Sequence, residues 1–261
     1  MNKISVVIQT YNASKHLDEV LCSVAKFDEV IVCDMESTDN TLDIAKKHGC
    51  RIVEFEKKNF TVVEPLRNAA VYSATHEWVL VVDADEIVPN ELREYLYDHI
   101  NKPNCADGLL IPRKNYFMGQ FMRCLYPDYI LRFFRKEGSY WPVHTHSVVE
   151  IKGRVEKIPQ NRKELAFIHL ANDRISNIVS KTNFYTDNEV EKKKNRSTSG
   201  ASFIFRPAFR FFKTYFIKKG FLDGKPGLIR ALNEAYYQMI LLSKIEEQKR
   251  EEKGIIEMKK D

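Results

Sequence analysis

Residues 78–86 read WVLVVDADE, an apolar run from Val79 to Val82 that ends in three carboxylates, Asp83, Asp85 and Glu86. Such a run predicts a strand buried on both faces. Carboxylates, by contrast, are rarely left inside a core without partners. Both demands are met where a buried strand ends at the rim of a sheet. In open α/β sheets that rim, at the carboxyl ends of the strands, is also where ligands sit.

The flanking sequence predicts such a sheet. Residues 4–8 form a short apolar, β-branched strand. Ser14 is expected to cap a helix whose apolar positions Leu17, Val20, Leu21 and Val24 recur at helical spacing. Residues 29–33 predict a second strand, and STDNTLDIAKKHG reads as turn, cap, helix and glycine stop. A third strand at 51–55, a helix over 64–76, the strand at 78–83 and a helix opened by Pro89-Asn90 and ending at Ile100 complete the series. Strands alternating with helices imply right-handed crossovers and a mostly parallel sheet.

From 101 to about 170 the strand-like segments GLLIPRKNYF, YILRFFRK and ELAFIHL are separated by turns, which predicts a mixed extension of the same sheet. Beyond Asp173 the chain reads as helical, with a charged, solvated stretch at 187–197. The expected organisation is therefore a first half over 1–100, a second half of the same domain over 101–172, and a helical region over 173–261.

Five cysteines without a C-x-x-C pair predict a reducing compartment and no structural disulfide. Cys22 and Cys33, in apolar periodic segments, are expected to behave as small hydrophobes. The N-terminus MNKISVVIQTYN carries no signal-peptide pattern. No apolar run approaches the roughly 18 residues a spanning helix needs. The expected location is the cytoplasm.

Three predicted strand ends carry polar residues: QTYN, DMESTDNT and DADE. In extended backbone Asp83 and Asp85 would project to one side, and two hard oxygen ligands aimed at one spot suit Mg²⁺ or Mn²⁺. Asp34 could accept a hydrogen bond from a base imide. Ser37, Thr38 and Asp39 fit either a nucleotide site or the cap of the next helix. Arg67, in PLRNAA, fits either a diphosphate partner or a solvated helix face.

The set SVVIQTYN, EVIVCDMESTDNT, LRNAA and VLVVDADE, in that order, resembles the family 2 glycosyltransferases with the GT-A fold, and among them the bacterial lipopolysaccharide-core glucosyltransferases. That resemblance covers about 3–100 and is loose beyond. It implies a Rossmann-like α/β fold with a mostly parallel central sheet, a mixed extension and C-terminal helices. It implies a nucleoside site at Thr10, Tyr11, Asn12, Asp34 and Ser37, a diphosphate partner at Arg67, Asp83 near the ribose and Asp85 on the metal. One departure is Glu36, where the family usually has glycine in D-x-G-S-T-D. The implied reaction is inverting transfer, in which a metal stabilises the leaving diphosphate and a base deprotonates the acceptor hydroxyl.

Relatives carry V-H-E where this chain has YWPVHTHSVVE, so Thr145 replaces a natural base. His146 is the expected base, with Asp128 in YPDYILRFF as second choice and His144 as a metal or diphosphate ligand. Backbone hydrogen bonding by the histidine pair remains the plain alternative.

FIFRPAFRFFKTYFIKKGF places Arg206, Arg210, Lys213, Lys218 and Lys219 among aromatics, with Pro207 suited to the first helical position. It fits a packing helix with a basic face or an interfacial helix on anionic lipid, and nothing else in the chain supports nucleic-acid binding. The expected protein is a hexosyltransferase, peripheral on the inner face of the cytoplasmic membrane, moving a UDP-linked sugar to a lipopolysaccharide or other cell-envelope glycan. Its rivals are a non-catalytic membrane-surface module with the same fold and a metal-dependent phosphoryl-transfer enzyme. QTYNAS, standing where G-x-G-x-x-G would be needed, argues strongly against a dinucleotide oxidoreductase.

Overall fold

The computed structural model describes residues 2–56, 67–142, 148–170 and 174–255. The chain forms two compact units, one of residues 1–115 and 126–171, the other of 116–125 and 172–261.

In chain order the elements are β1 (Ile4–Thr10), α1 (Ser14–Val24), β2 (Glu29–Asp34), α2 (Thr41–Lys47), β3 (Arg51–Glu54), α3 (Arg67–Ser73), β4 (Trp78–Asp83), β5 (Glu86–Ile87), α4 (Asn90–Ile100), β6 (Gly108–Phe117), β7 (Gln120–Phe121), β8 (Asp128–Arg135), β9 (Val155–Lys157) and β10 (Phe167–His169). Three long helices follow, α5 (Ile175–Lys193), α6 (Gly200–Phe212) and α7 (Gly224–Glu252). The main sheet runs β3-β2-β1-β4-β8-β6-β10-β5, with β9 also on β6.

The strands β3, β2, β1 and β4 are parallel. β8 lies antiparallel between β4 and β6, and β10 is parallel to β6 but antiparallel to β5. This is the mixed extension expected from the turn-separated strands. Alternate residues of the central strands feed two core layers. Ile4, Val6, Ile8, Leu80 and Val82 pack with Leu17, Leu21, Leu92 and Leu96 of α1 and α4. Val7, Ile31, Val79 and Val81 pack on the other face with Ala70 and Val71 of α3.

From β1 the chain builds outward through β2 and β3, then returns to place β4 on the other side of β1. This reversal of strand order is where such sheets open a ligand crevice. The register brings the strand ends level, with Thr10 beside Asp34 and Gln9 beside Asp83.

The second unit holds the hairpin formed by Tyr116 and Phe117 with β7, and the helices α5 to α7. The expected 101–172 half therefore differs here, because the hairpin groups with the helices. Asp223 explains why: its buried carboxylate accepts the backbone N–H groups of Arg123 (3.0 Å) and Cys124 (2.9 Å). Phe117, Met122 and Cys124 pack beside Ile178 and Ile229.

Three local expectations are corrected. Ser14 is the first residue of α1 rather than its cap. The cap comes from the next turn, where Asp39 accepts the Ser14 N–H (3.1 Å) and Thr41 Oγ1 accepts that of Ala13 (2.8 Å). Pro207 lies inside α6, which starts seven residues earlier behind Ser199, whose hydroxyl accepts the Ser202 N–H. Cys22 is exposed, unlike the buried Cys33, and all five cysteines are free thiols. No helix among the described residues is long and apolar enough to cross a membrane.

Candidate active site

The first two strand ends are knitted together. Thr10 donates its hydroxyl to Asp34 Oδ1 (2.6 Å), and Ser37 donates its N–H to Asp34 Oδ2 (2.8 Å) and its hydroxyl to Oδ1 (2.6 Å). Asn12 donates its N–H to Ser37 Oγ (2.8 Å), while its side-chain oxygen accepts the N–H of Thr38 (2.8 Å). Asp34 is 0 % exposed. Its carboxylate thus staples the loop, and the expected contact with a base is not open at Asp34 in this conformation. Tyr11, by contrast, is exposed on the same loop. Thr41, by N–H and hydroxyl, and the Ser14 N–H bind Asp39. Burial pushes its carboxyl up, but these bonds outweigh that and hold it at about 2.

Glu36 explains the family glycine it replaces. Its φ of 55° lies in the left-handed region, which an unbranched backbone without Cβ adopts at little cost.

β4 ends at Asp83, and Ala84–Asp85 form a turn into β5. The D-x-D is therefore not extended, and its two carboxylates take different partners. Asp83 Oδ2 meets Arg132 Nη2 at 2.8 Å. Asp85 Oδ2 meets His169 Nε2 at 3.4 Å. The Asp83 N–H donates to Glu86, whose side chain is fully buried and pairs with Arg113 Nη1 at 3.0 Å. Burial, together with the charge of Asp83, raises the Glu86 carboxyl above its usual range, against Arg132 and Arg113.

Sheet register assembles a chain of polar contacts behind this rim. Arg113 of β6 stands opposite Asp128 of β8, and Asn115 opposite His169 of β10. Arg113 binds Asp128 Oδ2 through Nε (3.0 Å) and Nη2 (2.6 Å), and Asn115 Nδ2 donates to the same oxygen (3.0 Å). The amide oxygen of Asn115 therefore faces His169 Nδ1 at 2.7 Å and takes its N–H. In the neutral ring this leaves the Nε2 lone pair directed at Asp85. A lone pair facing a carboxylate fits a cation between them, and a histidine ligand oriented through its other nitrogen is the usual arrangement at metal sites. With Nε2 protonated instead, burial still pushes Asp85 up, but the hydrogen bond and charge of the ring, together with the charge of Arg113, outweigh it and hold the carboxyl below its ordinary value. Asp128 is likewise raised by burial and lowered further by Arg113 and Asn115.

A second cluster centres on Trp141. Asn68 of α3 accepts the Trp141 N–H and donates to its carbonyl, both at 2.7 Å. The guanidinium of Arg67 lies 4.5 Å from the indole centroid and that of Arg132 lies 5.5 Å from it. The ring thus gathers two arginines, one of them bound to Asp83. Arg132 Nη1 is buried with no hydrogen-bond partner among the described residues.

Sequence reasoning missed Arg132, Arg113, Asn115 and His169. The signal was present: an arginine inside the apolar YILRFF and a histidine inside the apolar AFIHL demand partners when buried. His144, Thr145 and His146 lie outside the described residues.

Residues 5–146 match the model of "Glycosyl transferase family 2". An uncharacterized glycosyltransferase of Rickettsia conorii is 28% identical over 97% of this chain and 93% of its own length. The poly(ribitol-phosphate) beta-N-acetylglucosaminyltransferase of Staphylococcus aureus is 36% identical over 44% of this chain and 21% of its own. Among solved structures, a mannosyltransferase from Pyrobaculum calidifontis superposes with a TM-score of 0.52 at 14% identity, covering 93% of this chain and 75% of that one. The fold, with its curled, mostly parallel sheet, is GT-A. By the family match over 5–146, the chain belongs to glycosyl transferase family 2.

Proposed function

We propose that the protein is an inverting hexosyltransferase that moves a sugar from a nucleotide-sugar donor, a UDP-linked hexose, to a hydroxyl of a lipopolysaccharide or other cell-envelope glycan. The observation that carries this reading is the meeting, at one reversal of strand order, of the Asp34 loop, Asp83 and the Asp85–His169 pair. The Pyrobaculum mannosyltransferase was crystallised with GDP-Man and Mn²⁺, and the Staphylococcus relative is named for a poly(ribitol-phosphate), which supports a nucleotide-sugar donor and a polymeric acceptor.

Asp85 and His169 would hold the divalent cation, Mg²⁺ or Mn²⁺, with Asp83 on its ribose side and His144 as a further candidate ligand. When bound, that cation supplies Lewis-acid neutralisation of the departing diphosphate. Arg67 and Arg132, gathered on Trp141, add fixed positive charge at the same rim. Thr10, Tyr11, Asn12, Asp34 and Ser37 shape the nucleoside side, the buried pair Thr10–Asp34 as its frame and Tyr11 as its exposed surface.

The general base is assigned to His146 rather than Asp128. Asp128 is held by a two-point guanidinium contact and an amide, and its lowered pKa makes it a weak proton acceptor. Asp128 instead orients Asn115 and, through it, His169.

Release of nucleotide from a panel of UDP- and GDP-sugars, with Mn²⁺ or with chelator, tests the assignment. The expected result is metal-dependent release from a UDP-hexose, reduced at least ~100-fold in Asp85→Ala. Release untouched by that substitution would remove Asp85 from the site.

A further inference from the structure

The helix α6 and the segment after it carry a surface whose composition does not fit exposure to water. No residue of α6 is buried, although nine of its thirteen residues are apolar. Phe205 is 70% exposed, Ile204 68% and Phe209 59%, and Phe212, Phe216 and Ile217 are exposed as well. Singly exposed hydrophobes are ordinary, but a contiguous set this large marks an interaction site.

Helical geometry separates the surface into stripes. At 3.6 residues per turn, Ile204, Phe205, Phe209 and Phe212 share an arc of about 140°. Arg206, Arg210 and Lys213 fall together in the adjoining arc of roughly 60°. The remaining face, with half-buried Phe203, Pro207 and Phe211 and buried Thr214, is the one available for packing on α7. Past a π-helical turn over Lys213–Ile217, the exposed pair Lys218 and Lys219 is followed by exposed Phe221 and Leu222. Residues 200–222 contain five basic residues and no acidic one.

We infer that this surface is a docking site for an anionic lipid bilayer, with the aromatic stripe in the headgroup region and the adjoining arginines and lysines on lipid phosphates. Charge decides between the possible occupants. A second copy laying its own α6 antiparallel across this face would set the two basic stripes on the same side of the seam, which is repulsive. An anionic bilayer offers apolar depth for the aromatics and negative charge for the stripe beside them. Long basic side chains bordering an apolar face also reach headgroups while their stems stay in the apolar layer. The inference does not rest on the transferase assignment, since none of these residues belongs to the unit that carries the strand ends.

The test is cosedimentation of the full-length protein with vesicles of phosphatidylcholine alone and of phosphatidylcholine with one quarter phosphatidylglycerol, at low and high salt. The expected result is binding to the anionic vesicles, weakened at least tenfold by 0.5 M NaCl or by omitting phosphatidylglycerol. F205S/F209S/F212S and, separately, R206E/R210E/K213E should each lower binding at least tenfold, with unchanged circular dichroism and nucleotide release. The inference is overturned by a wild type that stays in the supernatant, or by variants that bind like the wild type. It is equally overturned by a lipid-free dimer that the phenylalanine variant dissolves, which would assign the face to a second copy.

Discussion

Glu36 shows how one side chain records a backbone constraint. A residue with Cβ at φ 55° carries a cost of about 1 kcal/mol that glycine avoids. Glu36→Gly is therefore expected to raise the stability of the first unit by about that amount, read as a shifted denaturation midpoint. An unchanged or lowered midpoint would mean that the contacts of the Glu36 side chain outweigh the strain. At the rim proposed to hold the cation, Asn115 acts through the His169 ring it orients. Asn115→Ala leaves His169 free to turn, and Mn²⁺ affinity is expected to fall by about 10- to 100-fold. Equal affinity would separate His169 from the cation. Arg132 was invisible as a site residue because its partner Asp83 is 49 positions away. What the sequence offered was a charge in an apolar strand, without the register that says what it meets. Arg132→Gln is expected to weaken UDP binding about tenfold, the usual worth of a hydrogen bond to a charged group.

Elements were legible where periodicity was strong and local. The buried stripe of α1, the helix from Asn90 to Ile100 and the four parallel strands follow directly from apolar spacing. Their ends were less legible, because caps are supplied from other elements, as Asp39 of the next loop does for α1. The far ends of the strands show the same long-range bracing. Glu29 at the start of β2 accepts hydrogen bonds from Ser5, Thr75 and Arg51, tying three strands and the loop before β4. Burial pushes its carboxyl up, but these partners outweigh that and hold it at about 2, from an unperturbed 4.5. A depressed folded-state pKa gives stability that is full above about 4.5 and is lost as pH falls towards 2. Glu29→Gln is expected to be less stable at pH 7 and to lose less on acidification, as pH-dependent urea unfolding would record. Parallel acid limbs in the two proteins would dismiss the brace. In the second unit, Gly227 lets α7 approach the preceding turn, since a Cβ there would collide with the Gly220 carbonyl oxygen. Gly227→Ala is expected to cost on the order of 2 kcal/mol, measured by thermal or urea unfolding.

For the molecule as a whole, function follows from which strand ends become neighbours. The motifs QTYN, DMESTDNT and DADE are legible one by one, but only the order β3-β2-β1-β4 makes them adjacent. The antiparallel β8 and the short β10 then bring Arg132 and His169 to the same rim from residues far along the chain. These last contributions come from a region where turns rather than helices join the strands, so periodicity alone left their neighbours open. The two carboxylates of the D-x-D accordingly have separate partners, one an arginine and one a histidine. The claim that decides the rest is that Asp85 and His169 share a divalent cation in the presence of donor nucleotide. Titration of Mn²⁺ against the protein with UDP, followed by the electron paramagnetic resonance of the free ion, tests it directly. One ion bound per chain in the wild type, and none at the same concentrations in Asp85→Asn or His169→Ala, is the predicted result. Full binding by both variants, or none by the wild type, would contradict it.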